Sequence, residues 1–383
     1  RPATSRPSRV RSPIAPAPPD DDAVRFSVLI PTYSRRADLL RTLDGYARQT
    51  PGVAFEVVIV DDGSKDGSLD AVARRRYPFP LRLARQGNAG PAKARNRAME
   101  VARGDLLLFT GDDIEPRPDL LAEHLRGHSE AGDERIAILG LTRWPEGSAT
   151  TATMRHIDGP GAQQFSYGFF EDGAEYDFRH LYTSNVSVNR RLLDREPGGF
   201  ATVFPAAAFE DAEFGHRLAF HGLRIRYRAA AVAEHHHPYR AGGFYRRQVR
   251  CGEMAALLFR RNPELSKWLG VKDLEHRRLA LLGDPVDGDF GGAKGRAIRL
   301  AERFDPSGAP GLDDFLRPLF RVGYVEGLAT ALFGDSAGLR VASSIFDDEV
   351  GSAARAFRKR LEDGGWPSRL SDLEALAGDH PPD

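Results

Sequence analysis

Cysteine is almost missing from this sequence. Cys251 is the only one in 383 residues, which excludes an intrachain disulfide framework and any cysteine-rich zinc site. Excess charge is missing too, because 54 Lys plus Arg balance 54 Asp plus Glu. A protein that coats nucleic acid or an anionic membrane needs a basic surplus, so nucleic acid is not an expected partner. No apolar run reaches the roughly 18 residues of a membrane-spanning helix. Lysine is scarce, six against 48 arginines, which GC-rich coding explains before chemistry does. The chain opens on Arg1, not Met, which points to a processed or trimmed start. There is no Gly-x-x-x-x-Gly-Lys-Ser/Thr loop to hold a triphosphate. No Gly-x-Gly-x-x-Gly follows the first strand either, which weighs against a nicotinamide dehydrogenase.

What is present is an ordinary soluble composition, 41% hydrophobic and 28% charged, long enough for two domains or one with an appendage. Residues 1–22 are rich in Pro, Arg and Ser, lack apolar side chains to offset ordering entropy, and are predicted to be a disordered leader. From Phe26 the texture changes. Strands are predicted at 26–30, 55–60, 81–83, 106–109, 136–141, 183–188 and 223–227, with helices at 39–47, 69–76, 91–103, 118–128 and 209–220. This alternation predicts an α/β fold with a mainly parallel sheet flanked by helices. Residues 144–182 read as irregular, and beyond Phe244 the pattern is helical, broken by a Gly/Asp loop near 283–295.

In an open parallel sheet, ligands bind beyond the carboxyl ends of the strands. Three such ends carry unusual residues: Pro31-Thr32-Tyr33, Asp61-Asp62-Gly63-Ser64 and Thr110-Gly111-Asp112-Asp113. Asp and Gly favour turns and caps, so either pair alone is as compatible with turn chemistry as with binding. Two pairs on the ligand side suggest hard oxygen ligands for Mg²⁺ or Mn²⁺, with Arg95 a candidate cation for phosphate. A third acidic cluster, Glu210-Asp211-Ala212-Glu213, opens a predicted helix, where the dipole also favours carboxylates. A fourth cluster is Glu234-His235-His236-His237. Along an extended segment side chains alternate, so at most one imidazole, or two spaced by two, face a single ion.

These segments, together with Asn88 to Asn96, Thr183-Ser184-Asn185-Val186-Ser187 and Gly198-Gly199-Phe200, resemble the family 2 glycosyltransferases over roughly residues 25–240. The resemblance implies a GT-A fold, a nucleotide-sugar donor with UDP the default nucleotide, and Mn²⁺ or Mg²⁺. It implies that Pro31, Thr32 and Tyr33 frame the nucleotide, that Asp62 meets the base, and that Asp61 lies nearer the ribose. Asp112 and Asp113 stand at the family's Asp-x-Asp position, with Gly111 where a first Asp is often found. Asp113 is then the direct metal ligand, Asp112 contacts ribose or a metal-bound water, and His235 or His237 is a late metal ligand. Asp211 takes the position of the general base, with Glu210 beside it. The reaction expected is transfer to an acceptor hydroxyl with inversion.

The domains expected are the leader at 1–22, a catalytic domain at 23–243 and a helical region at 244–383. Trp144, Phe165, Tyr167, Phe169, Phe170 and Tyr176 are candidates to stack on a sugar, lipid-linked or small-molecule acceptor, or to be loop core. Asn185-Val186-Ser187 fits a glycosylation sequon but reads as a strand. The basic amphipathic stretch at 244–260 packs on the catalytic domain or touches a membrane, with packing preferred. The protein is expected in the cytoplasm, with attachment to the inner membrane face as the alternative. The later helices close the site or form a homodimer interface. A sugar-nucleotide pyrophosphorylase is the alternative enzyme, disfavoured because the first loop is not Gly-rich. A non-catalytic nucleotide-sugar-binding subunit is the alternative outside enzymes.

Overall fold

The structure is a computed structural model that describes residues 25–161, 163–165, 167–282, 289–306 and 308–364. The predicted leader lies outside the described residues. The first half of the chain alternates strand and helix: β1 (Phe26–Thr32), α1 (Arg36–Ala47), β2 (Phe55–Asp61), α2 (Ser68–Ala73), β3 (Leu81–Arg85), α3 (Pro91–Val101) and β4 (Leu106–Thr110). A short β5 (Ile114–Pro116), α4 (Leu120–Ala131) and β6 (Ile136–Arg143) follow. Then come α5 (Ala152–Asp158), β7 (Glu175–Tyr176), β8 (Asn185–Asn189), α6 (Arg190–Leu193), α7 (Glu210–Ala219) and β9 (Arg224–His235). The remainder is helical: α8 (Ala241–Arg261), α9 (Val271–Ala280), α10 (Phe290–Phe304), α11 (Leu312–Phe333), α12 (Asp335–Ile345) and α13 (Gly351–Asp363).

The strands form one sheet in the order β3-β2-β1-β4-β8-β6-β9-β5, with β7 added on β9. The half β3-β2-β1-β4 is parallel, as the strand–helix alternation predicts. Beyond β4 the sheet is mixed, because β8 enters antiparallel between β4 and β6. Period-two alternation splits the parallel strands into two cores. Leu29 and Val58 pack with Ala94 and Ala98 of α3 and Phe214 and Leu218 of α7. Val28, Ile30, Val57 and Ile59 pack on the opposite face with Leu39 and Leu43 of α1 and Leu120 and Leu121 of α4.

Strand β9 and helix α5 differ from the sequence prediction. Strand β9 runs to His235, not to Tyr227, since β6 pairs with it again from Val232 and β5 from Ala233. Helix α5 lies inside the stretch predicted to be irregular; Thr151 caps it, its side chain accepting from Met154 N–H. The basic stretch after Phe244 is one helix, α8, whose apolar face is buried against α11 in a third core. The two helices approach through glycines. A Cβ on Gly327 would stand 1.8 Å from the Val249 carbonyl, and one on Gly252 would stand 2.0 Å from the Tyr324 carbonyl. Among the described residues no helix is long and apolar enough to cross a membrane.

A buried polar network ties β8 to α4 behind the site. Asn185 Nδ2 donates to the carbonyls of Ala231 and Leu141, which fixes its Oδ1 as an acceptor. His124 Nε2 therefore donates to Asn185 Oδ1 at 2.9 Å, and Ser187 Oγ donates to His124 Nδ1 at 2.8 Å. His128 Nε2 then donates to the same Ser187 oxygen at 2.8 Å. Burial pushes His124 down to about 4 and His128 down to about 3, so both rings are neutral as this direction of bonds requires. Asn185 of the sequon is 1% exposed and spent on this network.

Candidate active site

Strand register assembles the rim. Thr32 ends β1 directly beside Asp61 at the end of β2. Thr32 Oγ1 donates to Asp112 Oδ2 at 2.7 Å, joining the β1 and β4 ends. On the far side β5 pairs antiparallel with β9, placing Ile114 opposite His235. The His236 N–H donates to the Asp113 carbonyl at 2.9 Å. Strand alternation then separates the three imidazoles. His235 Nε2 and His237 Nδ1 lie 3.6 and 3.9 Å from Asp113 Oδ2, while His236 Nε2 lies 2.8 Å from Glu115. Trp144 stacks on the His235 ring at 5.2 Å and 15° and holds it in place.

Arg35 was not singled out in the sequence, yet it pairs with Asp113 and reaches Asp112 at 3.7 Å. It follows Ser34, one of two non-glycine residues with positive φ (53°) among those described. Burial and the charge of Asp113 push the Asp112 carboxyl up to about 7, against the pull of Arg35. Burial acts the same way on Asp113, but the hydrogen bond and charge of His235, with Arg35 and His237, outweigh it and hold that carboxyl well below the usual range. Burial, aided by Arg35, lowers His237, which keeps it a neutral nitrogen donor.

The donor set Asp113, His235 and His237 fits a divalent cation in chemistry. Its O···N separations are shorter than the ~4.2 Å that two ligands at about 2.1 Å from one ion span. Among the described residues no group of three or more His, Cys, Asp or Glu forms a ready-made metal cage, and here Arg35 lies on the carboxylate itself.

A cavity of about 770 Å³ opens beside Asp113. Helix α7 brings Glu210 and Asp211 into its wall from its first turn. The other positive-φ residue, Phe209 (64°), immediately precedes them, so both strained positions adjoin the site. Asn96 of α3 accepts from Phe200 N–H and donates to the Phe200 carbonyl, each at 2.8 Å, which anchors the loop leading to α7. Asp211 accepts from its neighbour Ala212 N–H at 2.8 Å. Burial and then the Glu210 charge push Asp211 up to about 7, with Arg95 opposing. Arg247 and Cys251 of α8 also line the cavity, with Arg247 Nη1 3.5 Å from the sulfur.

Several expected roles meet a different geometry. Arg95 lines the cavity but is not a free cation for phosphate: its Nη1 is 2.6 Å from Glu210, with both side chains buried. Asp62 does not line the cavity; its carboxylate accepts from Gln86, Ala89 N–H and Gly90 N–H and fixes the turn into α3. Asp61 accepts from Ser64 N–H and Arg85, so both residues do the turn chemistry weighed for them from sequence. Pro31, Thr32 and Tyr33 also stand outside the cavity, Tyr33 with 49% of its surface exposed. Of the six candidate aromatics only Phe165 lines the cavity. Tyr167 meets Phe170 edge-on and Phe170 lies tilted against Tyr176, Phe169 is exposed, and Trp144 backs His235. Tyr182, Tyr239, Trp268 and Tyr324 line the cavity instead. Arg35 and Arg247 had no sequence signal of their own, because one arginine among 48 does not stand out.

Comparison with known proteins gives this geometry a context. Residues 27–196 match the model of glycosyl transferase family 2. Validoxylamine A glucosyltransferase of Streptomyces hygroscopicus subsp. jinggangensis is 31% identical over 222 residues, 52% of this chain and 52% of that protein. The uncharacterized glycosyltransferase YfnE of Bacillus subtilis is 35% identical over 119 residues, 31% of this chain and 30% of that protein. The chain thus spans about half, or less, of these curated relatives. Residues 1–349 of Staphylococcus aureus TarS, solved in complex with UDP, share the fold at a TM-score of 0.50 and 20% identity, covering 85% of this chain and 91% of that one. The mixed α/β sheet with its flanking and C-terminal helices is of the GT-A type. Over residues 27–196, the chain is similar to glycosyl transferase family 2.

Proposed function

We propose that the protein transfers a sugar from a UDP-sugar to an acceptor hydroxyl with inversion, Asp211 acting as general base and a divalent cation assisting. The observation that carries this reading is that one cavity is lined by Asp113 from the β4 end, His235 from β9 and Asp211 from α7. The UDP bound in the TarS structure supports the choice of nucleotide. Mn²⁺ or Mg²⁺ held by Asp113, His235 and His237 would supply a Lewis acid for the diphosphate leaving group. Asp211 removes the proton of the acceptor hydroxyl while its oxygen bonds to the anomeric carbon. The bond from that carbon to the diphosphate oxygen breaks, and the electron pair leaves with the diphosphate. A base poised near neutrality suits this step, and general-base help is worth on the order of 10²–10⁴ in rate. Arg95, paired with Glu210, offsets the charge that Glu210 places beside Asp211. Asp112, anchored by Thr32, stays beside the rim, with Pro31 and Tyr33 flanking the nucleotide and Asp61 and Asp62 shaping its loop.

The division at about residue 243 belongs to the same proposal: the catalytic unit ends near β9, and α8 and α11 close its cavity. A thermal-shift panel of nucleotide sugars, with and without Mn²⁺, tests the reading, because specific stabilisation follows mass action. We expect the largest shift with a UDP-sugar plus Mn²⁺. A panel with no nucleotide-dependent shift would refute it.

A further inference from the structure

One wall of the cavity is left unused by that reaction. Among the described residues lining the cavity, the acids are Asp113, Glu210 and Asp211, all on the sheet side or at the start of α7. Helix α11 contributes arginines to the lining, Arg317 and Arg321. Four residues apart on one helix, these two present their side chains on the same face. Both residues are exposed. Among the described residues, each spends little of its donor capacity. Arg317 Nη2 donates to the Pro160 carbonyl at 2.9 Å, and Arg321 Nη1 pairs with Glu349. A guanidinium has five N–H donors, so most remain for a ligand. The acids of the same helix are engaged elsewhere, Asp313 with His156, Asp314 with Arg360 and Glu326 with Lys294. Tyr324, one turn beyond Arg321, continues the wall and gives it an aromatic surface.

We infer that this wall is an anion subsite for the acceptor: the substrate carries a phosphate ester or a carboxylate, held by Arg317 and Arg321. The inference rests on the glycosyl-transfer reading of the cavity. The donor diphosphate belongs at the Asp113 rim in that reading, so the anion at α11 is a second one. Arginine forks match both oxyanions with two parallel hydrogen bonds. The acceptor then lies with its anionic group at α11 and its hydroxyl toward Asp211, two features of one cavity.

Ligand-observed NMR titration of the full chain tests this with sn-glycerol 3-phosphate against glycerol, and glucuronate against glucose. At least one anionic probe is expected to bind about tenfold or more tightly than its neutral partner, the worth of a charge-assisted hydrogen bond. The arm that wins identifies the anion as phosphate or carboxylate. Arg317→Gln with Arg321→Gln is expected to abolish the preference while the melting temperature is kept. Should that double variant fold poorly, each single variant is expected to lose part of the preference. Equal binding of charged and neutral probes, or a preference that survives both substitutions, would overturn the inference. The titrations need no nucleotide, so a failure of UDP to bind would refute the donor reading separately.

Discussion

Arg95 and Glu210 form the ion pair on which the Asp211 environment depends. They meet at 2.6 Å with side chains only 9% and 3% exposed, and Glu210 Oε2 has no hydrogen-bond partner among the described residues. Removing one member of such a pair leaves an uncompensated buried charge, which costs about 3–5 kcal/mol. Arg95→Met should lose this much stability, whereas Arg95→Met with Glu210→Gln should recover at least half, because no charge is stranded. Urea unfolding at pH 8 reads the difference as a shift in midpoint at constant slope. The same variants test the proposed base. Asp211 is raised by burial first and by Glu210 second, and Arg95 opposes both. The proposed reaction uses the Asp211 carboxylate, so rate is expected to fall as pH drops through the Asp211 pKa. The acid limb of kcat/KM should therefore move up in Arg95→Met and down in Glu210→Gln, each by about one unit, or 1.36 kcal/mol. Equal destabilisation of the single and double variants, or acid limbs that move in the same direction, would refute this reasoning.

Three further outcomes follow from the geometry. His235→Ala and His237→Ala should each abolish the extra thermal stabilisation that Mn²⁺ gives with UDP, while His236→Ala, whose ring lies against Glu115, should keep it. Gly327→Ala places a methyl group on the Val249 carbonyl and should cost at least about 2 kcal/mol, seen as a lower melting temperature. Burial pushes Asp158 from 3.8 up to about 7, with its Oδ1 unpartnered among the described residues. The folded form thus holds that proton more tightly than the unfolded chain, so stability declines as pH rises between those values. Asp158→Asn should flatten that decline in urea midpoints measured at pH 5 and pH 8.

The parallel half of the sheet was legible because buried strands there are short runs of Val, Ile and Leu bounded by turn residues. Strand β9 was legible only to Tyr227. Its continuation passes Ala229-Ala230-Ala231, which have low intrinsic strand preference and lie in a register shift, before β6 pairs with it again from Val232 and β5 from Ala233. The spacing of His235 and His237 on one side and His236 on the other follows from strand alternation, and the structure has it. The carboxylates at the β2 end read as binding residues when they also make turns, and hydrogen-bond partners 24 to 28 residues away decide between the two. Arg35 reaches Asp113 across the rim, a contact separated by 78 residues that no local pattern encodes. The arginine wall of α11 is equally silent in sequence, since an i, i+4 pair reads first as a solvated helix face.

The central claim is that Asp211 is the base of a metal-assisted sugar transfer. It is tested most directly by Asp211→Asn, comparing UDP-sugar binding by calorimetry in Mn²⁺ with the rate of transfer at pH 8. The account predicts donor affinity within about twofold of the unmodified protein and turnover lower by on the order of 10²–10⁴. Undiminished turnover in Asp211→Asn, with donor still bound, would contradict it.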